Sequence, residues 1–224
     1  MRSADPSQRR PGRPKDPGLE ARRRTEILDA AAEFFARRGF SATDVQVIAD
    51  QLGVGKGTVY RYFPTKEQLF LATVERGLDE LTAEIDAVMA DPAVDPVDLI
   101  RGAIRAYLGF FHRRPEMAEL FIQERAAFPH HHRPLYFSEK NGDEKCRQRE
   151  ELLSRLIEAG RVRPMPLERF FDVVGDLLYG TILTNLLTGR PADPDAQADA
   201  VLDVVFHGIL TDAERKQPKG RKKR

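Results

Sequence analysis

The chain has 224 residues, of which 41% are apolar and 32% charged, with a formal net charge of +1 and a single cysteine. That length suits one large domain or a small one joined to a medium one, and the apolar fraction excludes wholesale disorder. One cysteine cannot close an internal disulfide. No secretory core opens the sequence and no apolar run reaches membrane length, so the expectation is a soluble cytoplasmic chain with no membrane partner.

The charge is unevenly placed. Residues 1–24 carry eight basic and three acidic residues, and residues 211–224 carry seven basic and two acidic. The stretch between them is acidic overall, with 21 basic and 30 acidic residues. Clustered Lys and Arg supply the sequence-independent attraction of proteins for phosphate backbones, so two basic tails on an acidic body point to a polyanion partner. Charged tails that merely stay solvated are the plain alternative.

In chain order, residues 1–18 read as a disordered basic arm. Its Arg9-Arg10-Pro11-Gly12-Arg13-Pro14-Lys15 run is similar to an AT-hook core, with Pro11 where the hook's first core arginine stands. Narrow A·T minor grooves concentrate negative potential and attract inserted arginine, so Arg10, Arg13 and Lys15 are expected there. A tail adding only counterion-release affinity is the competing reading.

Everything after the arm reads as helix, over residues 20–38, 44–52, 56–63, 66–90, 96–113, 115–127, 136–159, 166–188 and 194–211. No segment alternates apolar and polar residues as a half-buried strand does. Asp95-Pro96 and Asp193-Pro194 each place a capping carboxylate before a proline at the first helical position, and Pro115 and Pro166 look like similar starts. Gly39, Gly53, Gly160 and Gly189 stand where helices should stop. The fold class is all-α.

The second and third helices carry the informative signal. Val45, Ile48, Ala49 and Leu52 recur at helical spacing, and Thr43 followed by Gln46 has the spacing of a capping box. Gly53 ends that helix and another follows within a few residues, which is the helix-turn-helix arrangement whose second helix enters the major groove. At 100° per residue, Val59 and Phe63 face inward. Lys56, Gly57, Tyr60 and Arg61 then lie on or beside the outward face, where cations and hydroxyls meet phosphates and base edges and Gly57 lets backbone approach. Thr65 and Gln68 repeat the capping spacing, making Lys66 the first residue of the next helix and a candidate phosphate clamp. The Gly53–Thr58 stretch is not a P-loop, since Gly57 separates Lys56 from Thr58, and no strand precedes it for a dinucleotide fold.

The segment from Thr25 to Leu69 resembles the N-terminal DNA-binding domain of the TetR family of bacterial transcription regulators. The resemblance rests on Ile27, Leu28, Ala30, Ala31, Phe34, Phe35, Gly39, Phe40, Thr43, Val45, Ile48, Ala49, Leu52, Gly53, Val54, Lys56, Gly57, Thr58, Val59, Tyr60, Tyr62, Phe63, Lys66, Glu67 and Leu69. It implies Thr58, Tyr60 and Tyr62 as DNA contacts, with Lys66 and Thr43 on phosphates. Two residues depart from the common pattern: Gly55 replaces a capping Ser, and Asp44 replaces a second Thr or Ser, putting an acid beside the DNA. The resemblance further implies a reading head over residues 19–70 and an effector-binding and dimerising α-bundle over 71–212; the charge count makes residues 213–224 a basic disordered tail. The expected partners are double-stranded DNA, a second copy of the chain and a small-molecule effector of unknown identity. No cofactor is expected.

Within the bundle, Phe110, Met117, Phe121, Phe128 and Tyr136 are candidate walls of an effector pocket, with Thr181 and Asn185 as its polar groups. Aromatics at helical spacing equally describe ordinary core. Residues 166–188 are apolar around most of their circumference, and Leu178, Ile182, Val201, Val205, Gly208 and Ile209 are the candidate dimer face. His130-His131-His132 between prolines reads as a loop, and no metal site is expected; Cys146 between Lys145 and Arg147 reads as inert more readily than as a redox sensor. The reading is a ligand-responsive repressor. An activator or architectural DNA-binding protein is the alternative within the same class, and a small all-α enzyme the alternative outside it.

Overall fold

The computed structural model describes residues 17–129, 144–189 and 193–207. Arg10, Arg13, Lys15, His130, His131, His132, Tyr136, Gly208, Ile209 and the C-terminal basic run lie outside the described residues, as does the side chain of Cys146. The described residues form α1 (Pro17–Arg38), α2 (Val45–Gln51), α3 (Lys56–Tyr62), α4 (Lys66–Met89), α5 (Pro96–Arg113), α6 (Pro115–Ala127), α7 (Glu144–Glu158), α8 (Leu167–Thr188) and α9 (Pro194–His207). The fold is all-α.

Local signals account for most of these boundaries. The Asp95 carboxylate accepts from the Val97 N–H at 2.9 Å, and that of Asp193 from the Asp195 N–H at 3.0 Å. The Thr65 hydroxyl accepts from the Gln68 N–H at 3.0 Å, so Lys66 does open α4. Each satisfies a backbone donor that the first turn of a helix leaves without a partner. All four expected stop glycines have positive φ. Gly53, at φ 63°, is the one that makes the turn between α2 and α3, because a side chain there would strain the backbone.

One cap differs from expectation. Asp44, not Thr43, caps α2, its carboxylate accepting from the Gln46 N–H at 2.9 Å. Thr43 is buried, and its hydroxyl lies 2.7 Å from the Gly39 carbonyl and 3.3 Å from that of Phe34, so it closes the α1–α2 turn from inside.

α1 packs on α4 and α6, α4 runs along α5, and α5 carries α9 on another side; α8 lies against α6 and α5. Gly77 on α4 is where Met117 of α6 presses against the helix, and a Cβ at that position would overlap the Met117 side chain. Phe35, Phe40, Phe70 and Phe128 close the junction between the first helices and the bundle, with Phe35 edge-on to Phe70 at 5.1 Å and Phe40 edge-on to Phe128 at 5.0 Å. A single buried cluster therefore extends from Ile27 to Leu202. The expected division near residue 70 falls inside α4, with no break in the chain.

α8 is the described helix that is long and apolar enough to cross a bilayer, with a mean hydropathy of 1.3, although the sequence shows no uninterrupted apolar run of that length. Only Val174, Gly175, Leu178 and Ile182 of its residues are buried.

Candidate nucleic-acid interface

α3 is seven residues long, and only Val59 among them is buried. Phe63 just beyond its end is buried as well, with the Arg24 guanidinium of α1 4.4 Å from its ring centre, so these two face inward as their spacing predicts. α3 packs on α2, whose buried residues are Val45, Ile48 and Ala49. The turn is held by backbone bonds from the Gly53 N–H to the Asp50 carbonyl at 3.1 Å and from the Val54 N–H to the Ala49 carbonyl at 3.0 Å. Gly55 caps α3 without any side-chain bond, as its lack of a hydroxyl requires.

Six residues of α3 remain at the surface. Gly57 and Arg61 are exposed, while Lys56, Thr58, Tyr60 and Tyr62 are half-buried. A Cβ built on Gly57 meets nothing within 4 Å, so that side of the helix is open to a close approach. The Lys56 ammonium lies 6.0 Å from the Tyr60 ring centre, and the Arg61 guanidinium 5.3 Å from that of Tyr62. Cations resting on ring faces keep long side chains extended over the surface.

The charges around α3 are not all unpaired. Lys56 Nζ donates to Asp44 Oδ1 at 2.7 Å, joining the first residue of α3 to the cap of α2. The backbone bond from Gln46 and then the Lys56 ammonium hold the Asp44 carboxyl below the usual carboxylate range, and Asp44 in turn raises Lys56. Lys66 Nζ donates to the carbonyls of Ser41 at 3.1 Å and Thr43 at 3.2 Å, over the face of Phe40. Two of its three donors thus brace the α1–α2 turn. The clamp expected at the start of α4 is partly committed to the protein itself. Thr43 is a correction: its hydroxyl points inward and presents nothing to a phosphate.

Two polar residues that sequence reasoning missed tie this head to the bundle. Gln123 of α6 accepts from the Phe40 N–H at 2.9 Å and donates to the Phe35 carbonyl at 3.0 Å, completing both sides of its amide. Arg76 of α4 reaches Asp29 at 2.6 Å and the Thr25 carbonyl at 3.1 Å on α1, and Glu80 at 2.9 Å on its own helix. Glu80 also pairs with Arg114, and Arg114 with Glu116 at the start of α6. The partners are 47 to 88 residues apart where they cross between head and bundle, so no local pattern announces them.

The candidate effector pocket is not assembled as expected. Phe110, Met117 and Phe121 are buried core, with Phe110 edge-on to Phe111 at 5.3 Å and Phe111 edge-on to Phe121 at 5.5 Å. Phe128 turns to the head junction, 5.6 Å from Phe70. The Thr181 hydroxyl donates to the Leu177 carbonyl one turn back, and Asn185 exchanges two 2.8 Å bonds with Gln197 of α9. An apolar cleft with room for only about 30 Å³ lies between α4, α5, α7 and α8, and is lined by Met89, Ile100, Ala103, Leu152, Leu153, Phe170 and Phe171 with Arg149. Among the described residues no three His, Cys, Asp or Glu side chains gather as a metal site would need.

The dimer candidates also divide. Leu178, Ile182 and Val201 are buried within the chain, and Val205 is half-buried. The large apolar residues of α8 and α9 left open are Val173 at 58%, Leu187 at 75% and Val204 at 50% exposure. Val173 and Leu187 lie across α8 from Leu178 and Ile182, while Val204 lies to one side of Val201 on α9.

Comparison with known proteins bears on this geometry. Residues 27–73 match the family described as bacterial regulatory proteins, tetR family. The chain is 32% identical over 141 residues to the HTH-type transcriptional regulator RutR of Escherichia coli, a match covering 62% of this chain and 64% of RutR, so it spans under two thirds of that relative. It is 30% identical over 204 residues to the HTH-type transcriptional repressor KstR2 of Mycolicibacterium smegmatis, covering 88% of this chain and 95% of the repressor. Among solved structures, FadR of Bacillus subtilis in complex with stearoyl-CoA has a TM-score of 0.63 at 18% identity, covering 83% of this chain and 99% of that one. That likeness is one of fold.

Proposed function

The chain belongs to the TetR family of bacterial regulatory proteins, and from that premise we propose that it is a sequence-specific DNA-binding repressor released by a small-molecule effector. The observation that carries the reading is α3 itself, a helix with one inward residue and a surface of Lys56, Thr58, Tyr60, Arg61 and Tyr62. Thr58, Tyr60 and Tyr62 serve as base and backbone contacts, Arg61 and Lys56 meet phosphates, and Gly57 permits the approach. Lys66 offers its third donor to a phosphate. Arg10, Arg13 and Lys15 of the arm extend the footprint into the minor groove. A protein that reads a bacterial chromosome works in the cytoplasm.

The functional division places a reading head over residues 19–70 and an effector-binding, dimerising part over 71–212. A homodimer through the open faces of α8 and α9 covers Val173, Leu187 and Val204 and sets two α3 helices about one DNA turn apart on a palindromic operator. The cleft of α4, α5, α7 and α8 is the effector site: its walls are apolar, and it opens from a nearly closed state to admit an apolar ligand. FadR of B. subtilis, which has a similar fold, was solved in complex with stearoyl-CoA. Occupancy there would shift the head through α4 and α6, by as much as the effector prefers the released state.

Selection of bound sequences from random duplex DNA tests this directly. A palindromic motif should emerge, Tyr60→Ala should weaken its binding by about 1–3 kcal/mol, and a reporter carrying the motif should be silenced. No enriched sequence, or enrichment indifferent to Tyr60→Ala, overturns it.

A further inference from the structure

Asp44 and Lys56 are twelve residues apart, yet the helix-turn-helix brings the cap of α2 onto the first residue of α3. The Asp44 carboxylate holds the Gln46 N–H and the Lys56 ammonium together on Oδ1, at 2.9 and 2.7 Å. Both side chains are open to water, 64% exposed for Asp44 and 37% for Lys56. An ion pair so exposed adds little to folding stability. Its larger consequence is for charge. Of the two ammonium groups near this turn, Lys66 already gives two donors to backbone carbonyls, and Lys56 gives one to a carboxylate.

We propose that Asp44 is a built-in counter-charge that competes with DNA phosphate for Lys56 and so attenuates the affinity of the head for every duplex alike. The inference rests on the reading of α3 as the DNA-contacting helix. A phosphate that takes Lys56 must displace Asp44, and it then lies near an uncompensated carboxylate. Neither cost depends on base sequence, because the competition concerns charge and not base edges. Discrimination stays with Thr58, Tyr60 and Tyr62. Attenuation also serves release. An effector changes affinity by a limited factor, about 5–150-fold in typical coupled systems, and a head held below its full electrostatic affinity falls within that range.

The test measures binding of the full-length protein to a random-sequence duplex and to a selected operator over a range of salt concentrations, by fluorescence anisotropy. Asp44→Asn keeps an oxygen to cap α2 and removes the charge. It should tighten both complexes by about fivefold at moderate salt, and steepen the salt dependence by about 0.9 in log–log slope, one additional phosphate neutralised. The ratio of the two affinities should not change. In a Lys56→Gln background, the same substitution should leave the slope unchanged and lose most of the gain. Asp44→Ser, which also caps, should behave as Asp44→Asn does, so a defect peculiar to one variant is recognised. Binding unchanged or weakened in both folded variants, an equal gain in the Lys56→Gln background, or tightening confined to the operator overturns the proposal. Tyr60→Ala in the same assay separates the two levels. If it still weakens operator binding while Asp44→Asn fails to tighten it, only this inference falls; if it changes nothing, the reading of α3 falls too.

Discussion

α3 and α8 both leave much of their circumference uncovered, with opposite chemistry. α3 buries Val59 alone and shows lysine, arginine, threonine and tyrosine, with each cation placed near a ring or a carboxylate. α8 buries four residues and leaves Val173 and Leu187 open, with Val204 open on neighbouring α9. An exposed polar face is at ease in water and keeps its groups ready for a charged partner. An exposed apolar face costs about 25 cal/mol for each Å² left wet, so it is stable in company. Exposure by itself therefore says little about function, and the chemistry of what is exposed says which kind of partner fits: a polyanion for one helix, an apolar surface for the other.

The two regions share one core, and a substitution there should have the largest effect. Phe70 is fully buried and touches Phe35, Phe40 and Phe128. Phe70→Ala should cost about 3–5 kcal/mol in urea unfolding, and DNA binding should fail with it. A loss confined to the head, with the bundle melting as before, would show that the two regions fold separately.

A smaller blow falls on α8 alone. Leu187→Glu places a charge on the open face without touching the buried side, and in a twofold interface the change occurs twice. Self-association should weaken about 100-fold, with mass by light scattering moving toward the 25.4 kDa monomer and helicity retained. A dimer that persists undiminished would assign that face to something other than a second copy.

The link between the regions comes next. Gln123→Ala removes one amide bond to α1 and one to the turn that follows it, leaving the Phe35 carbonyl and the Phe40 N–H without that partner. A destabilisation of about 1–3 kcal/mol is expected. An effector that still binds should then release DNA less effectively, whereas a change in stability with release intact would make Gln123 a purely structural tie.

The smallest effect is one of pH. The Asp95 carboxylate receives two bonds from Arg161, at 2.8 and 2.9 Å, and with the Val97 N–H these hold its pKa below the ordinary value. A carboxylate depressed in the folded state contributes stability that is present above its unfolded pKa and disappears as pH falls through the folded one, here below about pH 4. Arg161→Ala should therefore lower stability slightly at neutral pH and flatten its loss on acidification, followed by thermal melting across pH. An unchanged acid limb would mean that the pair does not contribute.

Much of the architecture was written locally. Asp95, Thr65 and Asp193 cap helices through bonds that span two or three residues, and Gly53 turns the chain by its own φ, so proximity along the chain is proximity in space. The same locality explains why the inward pair Val59 and Phe63 could be read from a 100° wheel. Between two adjacent capping residues, however, Thr43 and Asp44, the choice was made by the Gly39 and Phe34 carbonyls, which the folded turn offers to the threonine and not to the aspartate. Phe110 and Phe121 carry one hydrophobic signal whether they fill a core or line a cavity, and a helix as apolar as α8 has no phase to say which side faces outward. Those decisions, together with the Gln123 and Arg76 ties and the Asp44–Lys56 pair, belong to the tertiary structure. Hydrogen bonds and ion pairs need ångström proximity, and only the packing of distant helices brings residues so far apart in sequence within that reach.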